Sequence, residues 1–153
     1  MLNELLASNS YLDQIMATDL TGRTDILMLQ VELDGASRAS LLSRFPKAHP
    51  GVKADHMTVA FRPSESMLSS FEVGKKVTLH VVGYAEDSRG QAVVVAGFPS
   101  SNEIPHITIS VADGTKPVYS NKLLADGYDS LDGDFVLTGT TVAVTKKMQK
   151  IST

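Results

Sequence analysis

Two valine-rich segments, Val77 to Tyr84 and Ala92 to Phe98, flank the turn residues Asp87-Ser88-Arg89-Gly90. β-branched and aromatic residues favour the pleated strand, and a short turn between two such runs makes an antiparallel hairpin. A hairpin alone is marginal in water, so the remaining strands must complete the sheet around it. Asp25 to Leu33 reads as a strand, continuous and apolar at first and then alternating, ended by Asp34-Gly35. In His56 to Phe61, alternation predicts Met57, Val59 and Phe61 on one face and His56, Thr58 and Ala60 on the other. His106 to Val111 repeats the pattern, with His106, Thr108 and Ser110 sharing a face, and Asp113-Gly114 turns out of it. Phe135 to Thr145 is the final strand, broken by Gly139.

Helices are few and short. Ser37 can cap a helix running to Arg44 with Leu41 and Leu42 inward, and Pro46 and Pro50-Gly51 stop it. Ser120 to Ala125 is a second short helix. Apolar residues of Leu2 to Met16 have partly helical spacing, interrupted by Ser8-Asn9-Ser10, so residues 1–22 are expected to form a peripheral helix or arm ending in the Thr21-Gly22-Arg23 turn. The 153 residues make one α+β domain with a curved antiparallel sheet.

Charge and composition exclude several functions. A net charge of −3 and pI near 5.7 disfavour stable binding to duplex nucleic acid, which wants a basic surface, but leave room for a nucleotide in a locally basic pocket. The chain has no cysteine, so disulfides, thiolate catalysis and cysteine-based zinc sites are excluded. No apolar run approaches the ~20 residues that span a bilayer, and the start lacks the pattern of a signal peptide. These features lead us to expect a cytoplasmic protein without a membrane partner. There is no Gly-x-x-x-x-Gly-Lys-Ser/Thr phosphate loop.

Two triplets carry chemistry: His56-Met57-Thr58 and His106-Ile107-Thr108. Within a strand, the imidazole and the hydroxyl project from one face. A histidine takes or gives a proton near neutral pH, and a threonine hydroxyl donates to a phosphate oxygen. Two such strands around one centre supply a general base, a general acid and two hydroxyls, enough to cleave a phosphodiester with neither metal nor other cofactor. A lone His-x-Thr is weak evidence; two, in matching phase, are not. His49, before Pro50-Gly51, and His80, before Val81-Val82, serve as internal controls.

These residues resemble the 2H phosphoesterase superfamily, which includes the LigT-like RNA phosphodiesterases. His56, Thr58, His106 and Thr108 match its paired motifs position by position, and the resemblance covers about residues 25 to 145. It implies a bilobal, pseudo-symmetric α+β fold, with curved antiparallel sheets about a central cleft. The histidines are only 50 residues apart, which implies a compact intervening lobe. The chain is similar in size to small phage members of the superfamily. That similarity points to hydrolysis of cyclic oligonucleotide messengers of anti-phage defence, in an infected bacterial cell. The alternatives are a 2′,3′-cyclic or 2′–5′ phosphodiesterase that processes RNA ends, and a module that binds a nucleotide without cutting it.

Flanking residues supply candidate substrate contacts. Tyr119 can stack on a base, Lys116 and Lys122 can meet phosphate, and Arg62 follows the first motif strand. Ser120 and Asn121 read as helix caps rather than ligands. Asp129, Asp132 and Asp134 around Gly133 read as a turn, since their spacing misses the EF-hand pattern.

If the triplets do the chemistry, His56→Ala or His106→Ala lowers phosphodiester turnover by the ~10²- to 10⁴-fold typical of a proton-transfer group. Thr58→Ala and Thr108→Ala weaken it less, and His49→Ala and His80→Ala leave it intact. Steady-state assays of the six variants decide this.

Overall fold

The computed structural model describes residues 19–153. The segment expected to form a helix, Leu2 to Met16, therefore lies outside the described residues. The described part holds nine strands and three helices. In chain order these are β1 (Ile26–Leu33), α1 (Gly35–Arg44), β2 (Gly51–Val52), β3 (His56–Phe61), α2 (Glu65–Ser70), β4 (Lys76–Glu86), β5 (Gly90–Ala96), β6 (His106–Val111), α3 (Tyr119–Ala125), β7 (Asp129–Ser130), β8 (Val136–Thr145) and β9 (Lys150–Ile151).

β4 and β5 form the expected hairpin. The Asp87 carboxylate accepts from the amides of Arg89 and Gly90 and closes the turn. The sheet continues antiparallel through β5, β6, β3, β1 and β8, and β8 then pairs back onto β4. Six strands thus close a barrel, and the short strands β2, β7 and β9 add to its margins. The expected antiparallel sheet with few short helices is present. Where two facing lobes were expected, the β4–β8 pairing rolls the sheet into one closed body.

Each strand of the ring sends at least one fully buried side chain into a shared core, among them Val31, Met57, Leu79, Val93, Ile107 and Leu137. Side chains fill a barrel this small. Leu41 of α1 joins the same core. Leu68 of α2 packs with Leu20, Ile26, Leu29 and Ala143 in a second cluster at one end of the barrel, and on the outside α3 lays Leu123 and Leu124 on Ala85, Ala92 and Val94.

Several local expectations change. Asp34 is the N-cap of α1; its carboxylate accepts from the Ser37 amide, while the Ser37 hydroxyl meets Thr138. β8 runs unbroken through Gly139, which pairs with Leu33 on one side and Val77 on the other. A Cβ on Gly139 would lie 2.5 Å from the Glu32 carbonyl oxygen, so the barrel closes where no side chain intervenes. In β3, Met57 and Ala60 are buried and Phe61 is exposed, because a bulge at Val59, opposite Leu29 and Gln30 of β1, shifts the alternation. Phe61 thereby leaves the Met57 face on which alternation alone placed it.

Leu79→Ala should cost about 2–5 kcal/mol of stability through the cavity it leaves. Gly139→Ala should cost about 1–3 kcal/mol, because backbone must shift at the closure. Urea unfolding of both variants measures these costs.

Candidate active site

β3 and β6 are paired directly at Met57 and Ile107. Both side chains are fully buried in the barrel. Their neighbours must therefore point outward, since strand side chains alternate. An antiparallel pair has a local two-fold axis, so the register that joins Met57 to Ile107 sets His56 beside Thr108 and Thr58 beside His106. All four line one depression of about 590 Å³, with Met28, Lys53, Asp55, Phe61, Asn102, Pro117, Val118 and Asn121.

The two histidines sit in different surroundings. His106 is buried, and its Nδ1 lies 2.8 Å from the Ile104 carbonyl oxygen. A carbonyl only accepts, so Nδ1 carries the proton and Nε2 keeps a lone pair. Burial lowers the His106 pKa below the usual 6.5, opposed by the Ile104 carbonyl and assisted by the nearby charge of His56. His56 is partly exposed, and its Nδ1 donates to Asp55 Oδ1 at 2.7 Å. The His56 hydrogen bond in turn holds the Asp55 carboxyl below the ordinary carboxylate range, against the opposing effect of burial. Ionised Asp55 fixes the tautomer and orientation of His56, which leaves Nε2 to exchange a proton.

Ala54 contributes to that placement. Residues 53 and 54 follow β6, their amides donating hydrogen bonds to the carbonyls of Ile109 and Thr108. Ala54 then adopts φ +57°, and the chain swings away from β6 before Asp55 and His56. The hydroxyls differ as well. Thr58 Oγ1 meets only the weak acceptor Met28 Sδ at 3.6 Å, which a phosphate oxygen would readily replace. Thr108 Oγ1 lies 2.8 Å from the buried Ser120 Oγ and 3.4 Å from the Pro117 carbonyl oxygen.

The flanking candidates do not converge on this cavity. Tyr119 donates to Asp87 Oδ2 at 2.5 Å and packs beside Gly90, with the Arg89 guanidinium 4.5 Å from its ring centre. It pins α3 to the β4–β5 turn. Lys122 faces Asp126 at 3.6 Å along α3, Lys116 is exposed on the preceding loop, and Arg62 lines a neighbouring depression. Ser120 is no cap, since the N-cap of α3 is Val118, which has no side-chain cap bond; the Ser120 hydroxyl positions Thr108. Asn121 does line the cavity. His49 bonds the Asp87 carbonyl and His80 the Gly133 carbonyl, both away from the site. The Asp132 carboxylate accepts from the Asp134 amide within a turn.

Sequence reasoning missed Lys53, Asp55 and Asn102. Only Asp55 carried a signal, a carboxylate directly before a motif histidine.

The family described as the fungal tRNA ligase phosphodiesterase domain matches residues 53–151, more than half of the chain and both triplets. No curated protein matches the chain. The chain belongs to this family, which is a 2H phosphoesterase family, and it is a hydrolase of phosphodiester bonds.

Ser120→Ala should lower kcat/KM about fivefold, equivalent to roughly 1 kcal/mol for one hydrogen bond, by freeing Thr108. Asp55→Asn should lower kcat by less than loss of His56 itself. Kinetics beside unfolding midpoints separate these effects from instability.

Proposed function

We propose that the protein hydrolyses 2′,3′-cyclic phosphates at RNA ends, with His106 as general base and His56 as general acid. One observation carries this reading: two histidines and two hydroxyls of a phosphodiesterase family share one cavity, and the histidines are held in unlike ways. The family match supports the RNA-end reading more than cyclic oligonucleotide messengers, on which size alone bears.

The steps follow from the environments. His106, kept neutral by burial, takes a proton from water through Nε2 as the water oxygen attacks phosphorus. The bond from phosphorus to one ribose oxygen breaks. His56, oriented by Asp55, delivers a proton to that oxygen, and the product is a phosphomonoester beside a free hydroxyl. Thr58 and Thr108 donate to the phosphoryl oxygens as charge accumulates on them. Lys53, exposed at the rim, adds positive charge. An intact acid–base pair argues against a module that only binds.

Incubation with a nucleoside 2′,3′-cyclic phosphate, an RNA ending in one, and cyclic di- and trinucleotides, followed by chromatography, tests this. The cyclic ends should open to monoesters while the cyclic oligonucleotides persist. Cleavage of the cyclic oligonucleotides alone overturns the RNA-end reading, and ligand bound but unchanged overturns catalysis. Activity should survive EDTA, and loss restored by a divalent ion would remove the metal-free scheme.

A base must be unprotonated, and the His106 pKa lies below 6.5, so the acid limb of kcat/KM should fall below pH 6.5. A limb above that value assigns the base elsewhere.

A further inference from the structure

Beside the catalytic cavity lies a second depression of about 500 Å³, whose lining includes Arg23, Leu27, Arg62, Glu65 and Lys146. The two are contiguous along one strand pair. Met28 of β1 is in register with Phe61 of β3, and both line the catalytic cavity. One residue further along, the Arg62 amide donates to the Leu27 carbonyl, and both residues line the second depression. Across β1, the Lys146 amide donates to the Asp25 carbonyl, which brings a second cation to the same place.

The charge there is available. Arg23 is paired with Asp25 at 2.7 Å, and Glu65 accepts from the Gly22 amide. Arg62 and Lys146 have no ion-pair partner among the described residues. Arg62 also has φ +51°, a left-handed conformation that a non-glycine residue holds at a cost and that clusters at ligand sites. Its guanidinium lies 5.5 Å from the centre of the Phe61 ring, and that ring, 58% exposed, lines the catalytic cavity, so Arg62 sits where the two depressions approach each other.

We infer that this second depression receives the backbone phosphate next to the cyclic end, so that the substrate is a short single-stranded RNA terminus rather than a free mononucleotide. This rests on the RNA-end reading above. Arg62 and Lys146 hold that phosphate, and Phe61 lies between it and the reacting group. The overall acidity of the chain is no obstacle, because two unpaired cations act locally where a long basic stripe is absent.

The test compares kcat/KM for adenosine 2′,3′-cyclic phosphate with RNAs of two, three and ten nucleotides ending in a cyclic phosphate. A preference of about tenfold should appear by the trinucleotide and grow no further, since the depression is small. Arg62→Ala and Lys146→Ala should each reduce that preference, and the double variant should abolish it. Lys47→Ala, a charge removed elsewhere on the surface, should preserve it. For each cation lost, the slope of log(kcat/KM) against log salt on the trinucleotide should shrink by about 0.7. Equal rates for all lengths, or a preference that survives the double variant, overturn the inference while the RNA-end reading stands. If no cyclic end of any length is opened, that reading fails first.

Discussion

The pairing of Met57 with Ile107 is the contact on which both core and site depend. Two buried side chains fix the inward faces of β3 and β6, and alternation then leaves His56, Thr58, His106 and Thr108 no face but the outer one. A one-residue slip in either strand would bury a histidine–threonine pair and expose an apolar residue. The barrel core therefore acts as the register device for the chemistry. The seam is narrow, because β3 and β6 share only that one registered pair while residues 51–54 carry the rest of the bonding along β6. The catalytic depression occupies the place where the two strands diverge.

Identical motifs acquire unlike roles through their surroundings. Burial keeps His106 out of water, which favours the neutral ring, while the Ile104 carbonyl fixes its tautomer. His56 lies beside a carboxylate and partly in solvent. Two copies of the same triplet thus present one desolvated and one carboxylate-linked imidazole. The threonines divide similarly, one with only a thioether contact and one held by the hydroxyl of α3.

The strands were legible because β-branched alternation is local, and His56 to Phe61 and His106 to Val111 matched residue for residue. Closure of the barrel was not, because the Val77–Gly139 and Leu79–Leu137 partners are about 60 residues apart and nothing local marks them. The six-residue α2 was too short to show a helical period. The triplets were legible as strand phase, whereas Lys53 and Asn102 reach the cavity only through tertiary folding. Tyr119 misled for the opposite reason. Its aromatic ring follows the second motif closely, but α3 turns it toward the hairpin, where Asp87 and Gly90 receive it.

Leu20 and Ile151 pack against the same small cluster at one end of the barrel, around Leu29, Leu68 and Ala143. The first and last parts of the described chain thus lie at neighbouring points. A short linker between these two points would therefore not pull against the ring of strands.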